Sequence, residues 1–207
     1  MHARLLHRVS NWSPVWRATR IYTLGGKRAF DLFFVSMTLP IWAPLICLLW
    51  LISWCEARQG LYVDHRIGRG GQVFRCLKIR TMVQSTSRPC AAYKTRNDPR
   101  ITTIGRFLRR SSLDELPQLI CVLKGEMSLV GPRPVPASEL KRYEMERGRY
   151  LFVRPGLTGL WQVSGRNALS YRTRIALDVR YSEAPTFAED LRILCATCRE
   201  IWRMSGR

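Results

Sequence analysis

One long apolar run stands out against the short amphipathic blocks of the rest of the chain. Residues 32–55 include no charged residue and hold three tryptophans, Trp42, Trp50 and Trp54, among Leu, Ile and Phe. At 1.5 Å of rise per residue, such a helix is long enough to cross a hydrocarbon layer of roughly 30 Å. It has no polar face, which argues against a half-buried core helix. It is also too long and too far from the start for a cleaved signal peptide. Pro40 and Pro44 fall inside the run. Each removes a backbone donor and crowds the preceding turn, at a cost of about 3 kcal/mol or more in an unsupported helix interior. The two prolines therefore predict a break in the membrane helix.

Beyond residue 58 the pattern shortens. Leu61–Ile67 and residues 72–82 are rich in Val, Ile, Tyr or Phe and flank Gly68-Arg69-Gly70-Gly71, which predicts a β-hairpin with glycines supplying positive φ. That turn lacks the Gly-Lys-Ser/Thr pattern of a phosphate-cradling P-loop. Residues 84–100, with Pro89, Asn97 and Pro99, read as a loop, and residues 101–110 as a short basic helix. Ser112-Leu113-Asp114-Glu115 matches a capping box, followed by an apolar stripe of Leu116, Leu119, Ile120, Val122 and Leu123 and a stop at Lys124-Gly125. This places Asp114 and Glu115 in the first turn of that helix, with Pro117 tolerated only near its start. Gly131-Pro132-Arg133-Pro134 and Arg154-Pro155-Gly156 read as rigid loops that each present an arginine, and residues 137–149 and 188–202 as helices. The expected fold is α+β and mostly helical. It divides into a basic amphipathic segment (1–26), a membrane helix hairpin (27–58) and a compact cytosolic domain with a small β-hairpin (59–207).

Charge sharpens this picture. The 207 residues carry 34 Lys and Arg against 15 Asp and Glu, a net +19, which attracts nucleic acid, anionic lipid or phosphorylated small molecules. Arg17, Arg20, Lys27 and Arg28 precede the apolar run, and Arg58, Arg66, Arg69, Arg75 and Lys78 follow it. Basic flanks resist translocation, so two of them predict a re-entrant segment that returns to its own face. Residues 1–26 interleave Leu5, Leu6, Val9, Trp12, Val15 and Trp16 with arginines. They suit either a helix in the headgroup region, interrupted at Pro14, or a poorly ordered terminus. The seven cysteines are odd in number and mostly isolated, which reads as reduced thiols. Cys195 and Cys198 form a lone pair, expected to pack one helix face, and His2, His7 and His65 have no metal-ligand spacing.

Asp114 and Glu115 are the candidate chemistry. Acids at a helix start are favoured by the helix dipole, which accounts for one acid but not for two among Arg109, Arg110 and Arg133. Adjacent carboxylates can recruit Mg²⁺ together with substrate phosphates, or one can attack phosphorus and carry it covalently. Arginines then offer bidentate contacts to phosphate oxygens.

Five blocks occur in order: Lys27-Arg28-Ala29-Phe30-Asp31, Lys78-Ile79-Arg80-Thr81-Met82, Ser112-Leu113-Asp114-Glu115-Leu116-Pro117-Gln118-Leu119, Gly125-Glu126-Met127-Ser128-Leu129-Val130-Gly131-Pro132-Arg133-Pro134 and Arg154-Pro155-Gly156-Leu157-Thr158-Gly159. Together they resemble the bacterial sugar transferases, the monotopic phosphoglycosyl transferases, in their minimal short form. The resemblance implies an enzyme at the cytoplasmic face of the bacterial inner membrane, acting in cell-surface polysaccharide synthesis. It would transfer a sugar 1-phosphate from a nucleotide sugar, expected to be a UDP-sugar, to undecaprenyl phosphate and release the nucleoside monophosphate. It implies Asp114 as nucleophile, Asp114 and Glu115 as Mg²⁺ ligands, and a re-entrant helix broken at Pro40 and Pro44. It further implies substrate or phosphate contacts from Lys78, Arg80, Arg109, Arg133, Arg166 and Asp178. Glu126 and Cys121 depart from the family pattern and leave the acidic pair untouched.

The implied partners are the nucleotide sugar, the polyprenyl phosphate and membrane lipids, with no nucleic acid, and the sequence leaves a homodimer open. Two rival functions use the same features differently. A membrane-anchored nucleic-acid-binding protein would need aromatics interleaved with arginines on the cytosolic part, and a lipid-binding scaffold would use the acids only as a helix cap. Cysteines introduced at Arg17 and Arg69, with native cysteines removed, should both resist a membrane-impermeant thiol reagent applied to intact spheroplasts. Labelling of one and not the other would establish a true crossing.

Overall fold

The computed structural model describes residues 22–58, 60–83 and 98–202. A π-helical turn, Tyr22–Gly26, leads into α1 (Lys27–Met37), and α2 (Leu39–Ala57) follows after a single residue, Thr38. The break therefore falls at Thr38 and not at both prolines. Pro40 is the second residue of α2, where its missing N–H is one of the donors a helix start leaves free. Pro44 lies within α2 without ending it. Side chains reinforce the end of α1: Thr38 Oγ1 donates to Phe34 O at 2.7 Å, which also accepts from Thr38 N, and Trp42 Nε1 donates to Val35 O at 2.9 Å.

Along these two helices Phe33, Phe34, Met37, Leu39, Ile41, Leu48, Leu51 and Trp54 are exposed. A contiguous apolar surface of this kind marks a lipid or protein contact. Leu39–Glu56 is long and apolar enough to cross a membrane by length and composition. The opposite side of the pair is not free, because Val35 and Trp42 enter the main core with Phe74, Cys76, Val122, Met127, Val130, Tyr181 and Ile193.

The predicted hairpin forms as β1 (Leu61–Ile67) and β2 (Val73–Ile79), antiparallel from Leu61 opposite Ile79 to Ile67 opposite Val73. The turn uses Gly70 at φ +68° and Gly71 at φ +83°, a region costly for other residues. β2 is buried through Phe74, Cys76 and Ile79, while Val73 and Arg75 stay exposed. Phe74 and Cys76 join the main core, while Ile79 meets Leu49 of α2 and Leu108 of α3 (Thr103–Ser111). After α3 come α4 (Gln118–Lys124) and β3 (Ser128–Val130).

The helix predicted over 137–149 is interrupted. α5 (Ala137–Leu140) passes through a 3₁₀ stretch, Lys141–Glu146, into α6 (Arg147–Phe152). Glu144, at φ 43° and ψ −118°, breaks the helical path. β4 (Gly156–Thr158) then pairs in parallel with β3, bringing Gly156 against Gly131 so closely that a Cβ on Gly156 would lie 2.0 Å from the Gly131 nitrogen. α7 (Leu160–Val163), α8 (Tyr171–Glu183) and α9 (Phe187–Trp202) complete the chain. Cys195 and Cys198 are exposed on α9 rather than packed. The expectations for residues 1–21 and 84–97 lie outside the described residues.

Three charges in the first turns of α1 join it to the rest. Lys27 pairs with the fully buried Asp190 of α9, which also accepts from Tyr22 and, at 2.6 Å, from Tyr181. Arg28 donates to Val122 O and Leu123 O, at the end of α4 where carbonyls lack helical partners and the dipole favours a cation. Asp31 accepts from Leu129 N at 3.1 Å and Ser128 Oγ at 2.7 Å. Asp190→Ala should destabilise the protein by about 3 kcal/mol, the cost of leaving a buried charge without its partner. Adding Lys27→Met should recover part of that loss. Thermal unfolding of the detergent-solubilised variants measures both, and a double variant less stable than Asp190→Ala would contradict the pairing.

Candidate active site

The chain enters the acidic pair through an unusual corner. Ser112 ends α3 at φ +60°, a left-handed conformation uncommon outside glycine. Pro117 then prevents an α-helical start, because it has no N–H to give Leu113 O four residues back. The segment tightens into a 3₁₀ turn, Leu113–Glu115, with Glu115 N donating to Ser112 O at 3.2 Å and Leu116 N to Leu113 O at 3.3 Å. The expected capping box does not form: the Ser112 side chain makes no cap bond, and both acids precede α4 instead of opening it.

The two acids have opposite surroundings. Glu115 Oε1 accepts from Lys78 Nζ at 2.8 Å and Arg133 Nη2 at 2.9 Å. Burial alone would raise its pKa, but these two cations and their hydrogen bonds hold it well below the usual carboxylate range. Asp114 receives no hydrogen bond from the described residues. Burial first, and the Glu115 charge second, push it up to about 6 against the attraction of Lys78, Arg109 and Arg133. Two neighbouring carboxylates are thus divided into one held through a single oxygen by two cations and one without a hydrogen bond from the described residues.

Lys78 arrives from β2 and Arg133 from the loop after β3. That loop is fixed from behind. Tyr150 Oη donates to Arg133 O at 2.9 Å and accepts from Val135 N at 3.1 Å, spanning Pro134. The Tyr150 ring lies 4.4 Å from that of Tyr143, whose hydroxyl donates to Asp178 at 2.9 Å. Neither tyrosine carries a sequence signal, because each becomes important only through a contact with a distant loop.

The remaining predicted residues are distributed differently. Arg109 lies beside the pair, its Nε donating to Thr81 Oγ1 at 2.8 Å, and its charge acts on Asp114. Arg80 sits just past β2 with its guanidinium over the Tyr62 ring, and its carbonyl accepts from Ser53. Nothing there joins it to Glu115. Arg166 occupies a 3₁₀ turn, Arg166–Ala168, and donates to Gln162 O at 3.1 Å, with Glu200 at 3.8 Å, away from the pair. Asp178 is 2% exposed and stands behind Arg133, not open to a ligand. Burial pushes its pKa up to about 7. Arg154 is not presented either: it donates to Gly125 O at 2.8 Å.

No cluster of three or more His, Cys, Asp or Glu side chains occurs among the described residues. A bare Asp114, with one Glu115 oxygen still outside the Lys78 and Arg133 contacts, nonetheless fits Mg²⁺, which takes one or two carboxylates and completes its shell with water and phosphates.

Comparison with known proteins shows the family of the chain. Residues 22–204 match the family described as bacterial sugar transferase. The chain is 44% identical over 195 residues to an undecaprenyl-phosphate galactose phosphotransferase of Salmonella typhimurium, covering 87% of this chain and 41% of that protein. It is 43% identical over 192 residues to the exopolysaccharide production protein ExoY of Rhizobium meliloti, covering 84% and 85%. A UDP-glucose:undecaprenyl-phosphate glucose-1-phosphate transferase of Caulobacter vibrioides is 39% identical over 180 residues, covering 83% and 67%. The chain thus spans less than half of some relatives and most of others.

Arg133→Lys should lower turnover about tenfold to a hundredfold, since Lys keeps the charge but loses the planar fork. Tyr150→Phe should lower it about twofold to tenfold, the worth of ordinary hydrogen bonds. In the Arg133→Lys background that second loss should shrink, and full additivity in a double-mutant cycle would show that Tyr150 does not act through Arg133.

Proposed function

The chain belongs to the bacterial sugar transferase family, and from that premise we propose that it transfers a sugar 1-phosphate from a UDP-sugar to undecaprenyl phosphate at the cytoplasmic face of the membrane. The observation that carries this reading is the division of the acidic pair. Glu115 is locked between Lys78 and Arg133, while Asp114, one residue away, has no donor among the described residues. A carboxylate kept free of hydrogen bonds retains its lone pairs for an incoming electrophile, and neighbouring cations favour its ionised form.

In the first step an Asp114 oxygen attacks the phosphorus bonded to the sugar. The bond from that phosphorus to the bridging oxygen breaks, and its electron pair leaves with the nucleoside monophosphate. A sugar phosphate remains on Asp114 as an acyl phosphate. In the second step an oxygen of undecaprenyl phosphate attacks the same phosphorus, the bond from phosphorus to the Asp114 oxygen breaks, and Asp114 leaves as a carboxylate while a lipid diphosphate sugar is released.

Arg133 and Lys78 supply positive charge beside the reacting phosphorus, and Arg109 supplies it from the side of Thr81 and Met82. Because both Glu115 contacts use one oxygen, these cations are oriented before substrate arrives, which spares reorganisation during the reaction. Mg²⁺, when bound, would be held by Asp114 and Glu115 and would neutralise charge on the donor phosphates. The apolar surface of α1 and α2 lies on the domain that carries the pair, which supports an acceptor delivered from lipid.

Asp114→Asn keeps size and removes the nucleophilic charge, so it should abolish both product and covalent adduct. Glu115→Gln should slow both severely by loosening Lys78 and Arg133. Each variant is incubated with radiolabelled UDP-glucose or UDP-galactose without lipid acceptor, quenched rapidly and denatured, and the protein is counted for label. Label retained on Asp114→Asn, or none on an active wild type, would favour direct attack by the lipid phosphate.

A further inference from the structure

Gln118, the first residue of α4, has no part in the chemistry derived so far. It is 2% exposed and makes no hydrogen bond to another described residue, and its amide atoms are not fully enclosed, so they open onto solvent at the cleft. It lines the small cleft whose other walls include Arg66, Cys76, Lys78, Glu115 and Arg133. A carboxamide carries two donors and an acceptor, and such groups are seldom buried without partners. The core offers no reason for one here, because the adjoining Leu119 and Val122 pack as ordinary apolar residues. The charge of the cleft identifies the class of partner. Arg66, Lys78 and Arg133 bring three cations and Glu115 one anion. Arg66 is already paired with Asp64 and donates to Pro134 O at 3.1 Å. Lys78 and Arg133 share a single Glu115 oxygen, so each keeps donors available to an anion. Cys76 adds no charge, because burial pushes its thiol up to about 12.

We propose that Gln118 is a substrate-contacting residue whose carboxamide donates to an oxygen of the phosphate group held between Lys78 and Arg133. This rests on the sugar-phosphate transfer proposed above and adds a contact to that same site. Gln118 stands three positions after Glu115 and four after Asp114, so the turn that presents the acids also sets where its amide begins. Its function requires the neutral amide. A carboxylate there would add a further anion to the Asp114–Glu115 pair, and an apolar side chain would leave a phosphate oxygen without its donor.

Two variants of the full chain, Gln118→Met and Gln118→Glu, test this in detergent with undecaprenyl phosphate, Mg²⁺ and UDP-glucose or UDP-galactose. Gln118→Met preserves length and removes only the amide. It should melt at or slightly above the wild-type temperature without ligand, because no intramolecular hydrogen bond is lost. Its kcat/KM should fall about tenfold to a hundredfold, the range for a hydrogen bond to a charged group. Gln118→Glu should lose more. The second measurement is thermal protection by inorganic pyrophosphate or the UDP-sugar, which needs no turnover; it should be clear in the wild type and much reduced in both variants. Wild-type efficiency or full protection in Gln118→Met would overturn the proposal, as would a drop of several degrees in its unliganded melting temperature, which would mark a packing role. A wild type that is protected but never releases nucleoside monophosphate would count against the transfer reading, and the protection data would still decide the role of Gln118.

Discussion

Lys27, Arg28 and Asp31 hold the apolar helix pair to the elements that carry the acidic turn, and the rest of the architecture depends on that attachment. Each reaches a different partner: Asp190 on α9, the last carbonyls of α4, and the start of β3. Three separate anchors on one helix fix both its direction and its rotation, which a single apolar contact could not do. The exposed face of α1 and α2 is thereby set relative to α4, and through α4 to Asp114 and Glu115. The buried Asp31 and Asp190 and the half-buried Lys27 and Arg28 are tolerated because each is paired or hydrogen-bonded; removing one member strands the other.

Proline shapes the reactive region by subtraction. Pro117 denies Leu113 O its helical donor, so the acids stand in a tight 3₁₀ turn rather than on an α-helix. Pro132 and Pro134 confine the loop of Arg133, and Tyr150 closes it with one hydroxyl that serves residues on both sides of Pro134. Rigidity here has an electrostatic consequence. Arg133 and Lys78 converge on a single Glu115 oxygen, and adjacent carboxylates with the same intrinsic chemistry acquire opposite pKa shifts.

Asp178 illustrates how a motif position can matter without meeting a ligand. Its carboxyl is enclosed behind Arg133, and it receives the Tyr143 hydroxyl beside the Tyr150 ring. The Asp178–Tyr143–Tyr150 layer is therefore a support for the arginine loop. Glu144 makes that layer possible: by interrupting the helix between Tyr143 and Tyr150, it leaves the two rings in contact across one short segment.

The sequence by itself determined the features that depend on local chemistry. The uncharged run of residues 32–55 had to form an apolar helix interrupted within the run. Gly70 and Gly71 had to make a turn between two β-rich runs, and adjacent acids among arginines pointed to phosphate chemistry. It misplaced the features in which neighbours compete. Ser112-Leu113-Asp114-Glu115 has the letters of a capping box, but Pro117 and the left-handed Ser112 override it. Pro44 is tolerated inside α2, whereas Thr38 ends α1. Which of six basic or acidic residues would gather around Glu115 was decided only by tertiary structure. Lys78 lies 37 positions from Glu115 and Arg133 lies 18, and Arg80, only two residues from Lys78, faces Tyr62 instead. Local patterns encode dihedral preferences and burial, whereas the meeting of charges from separate strands and loops is set by how those elements pack.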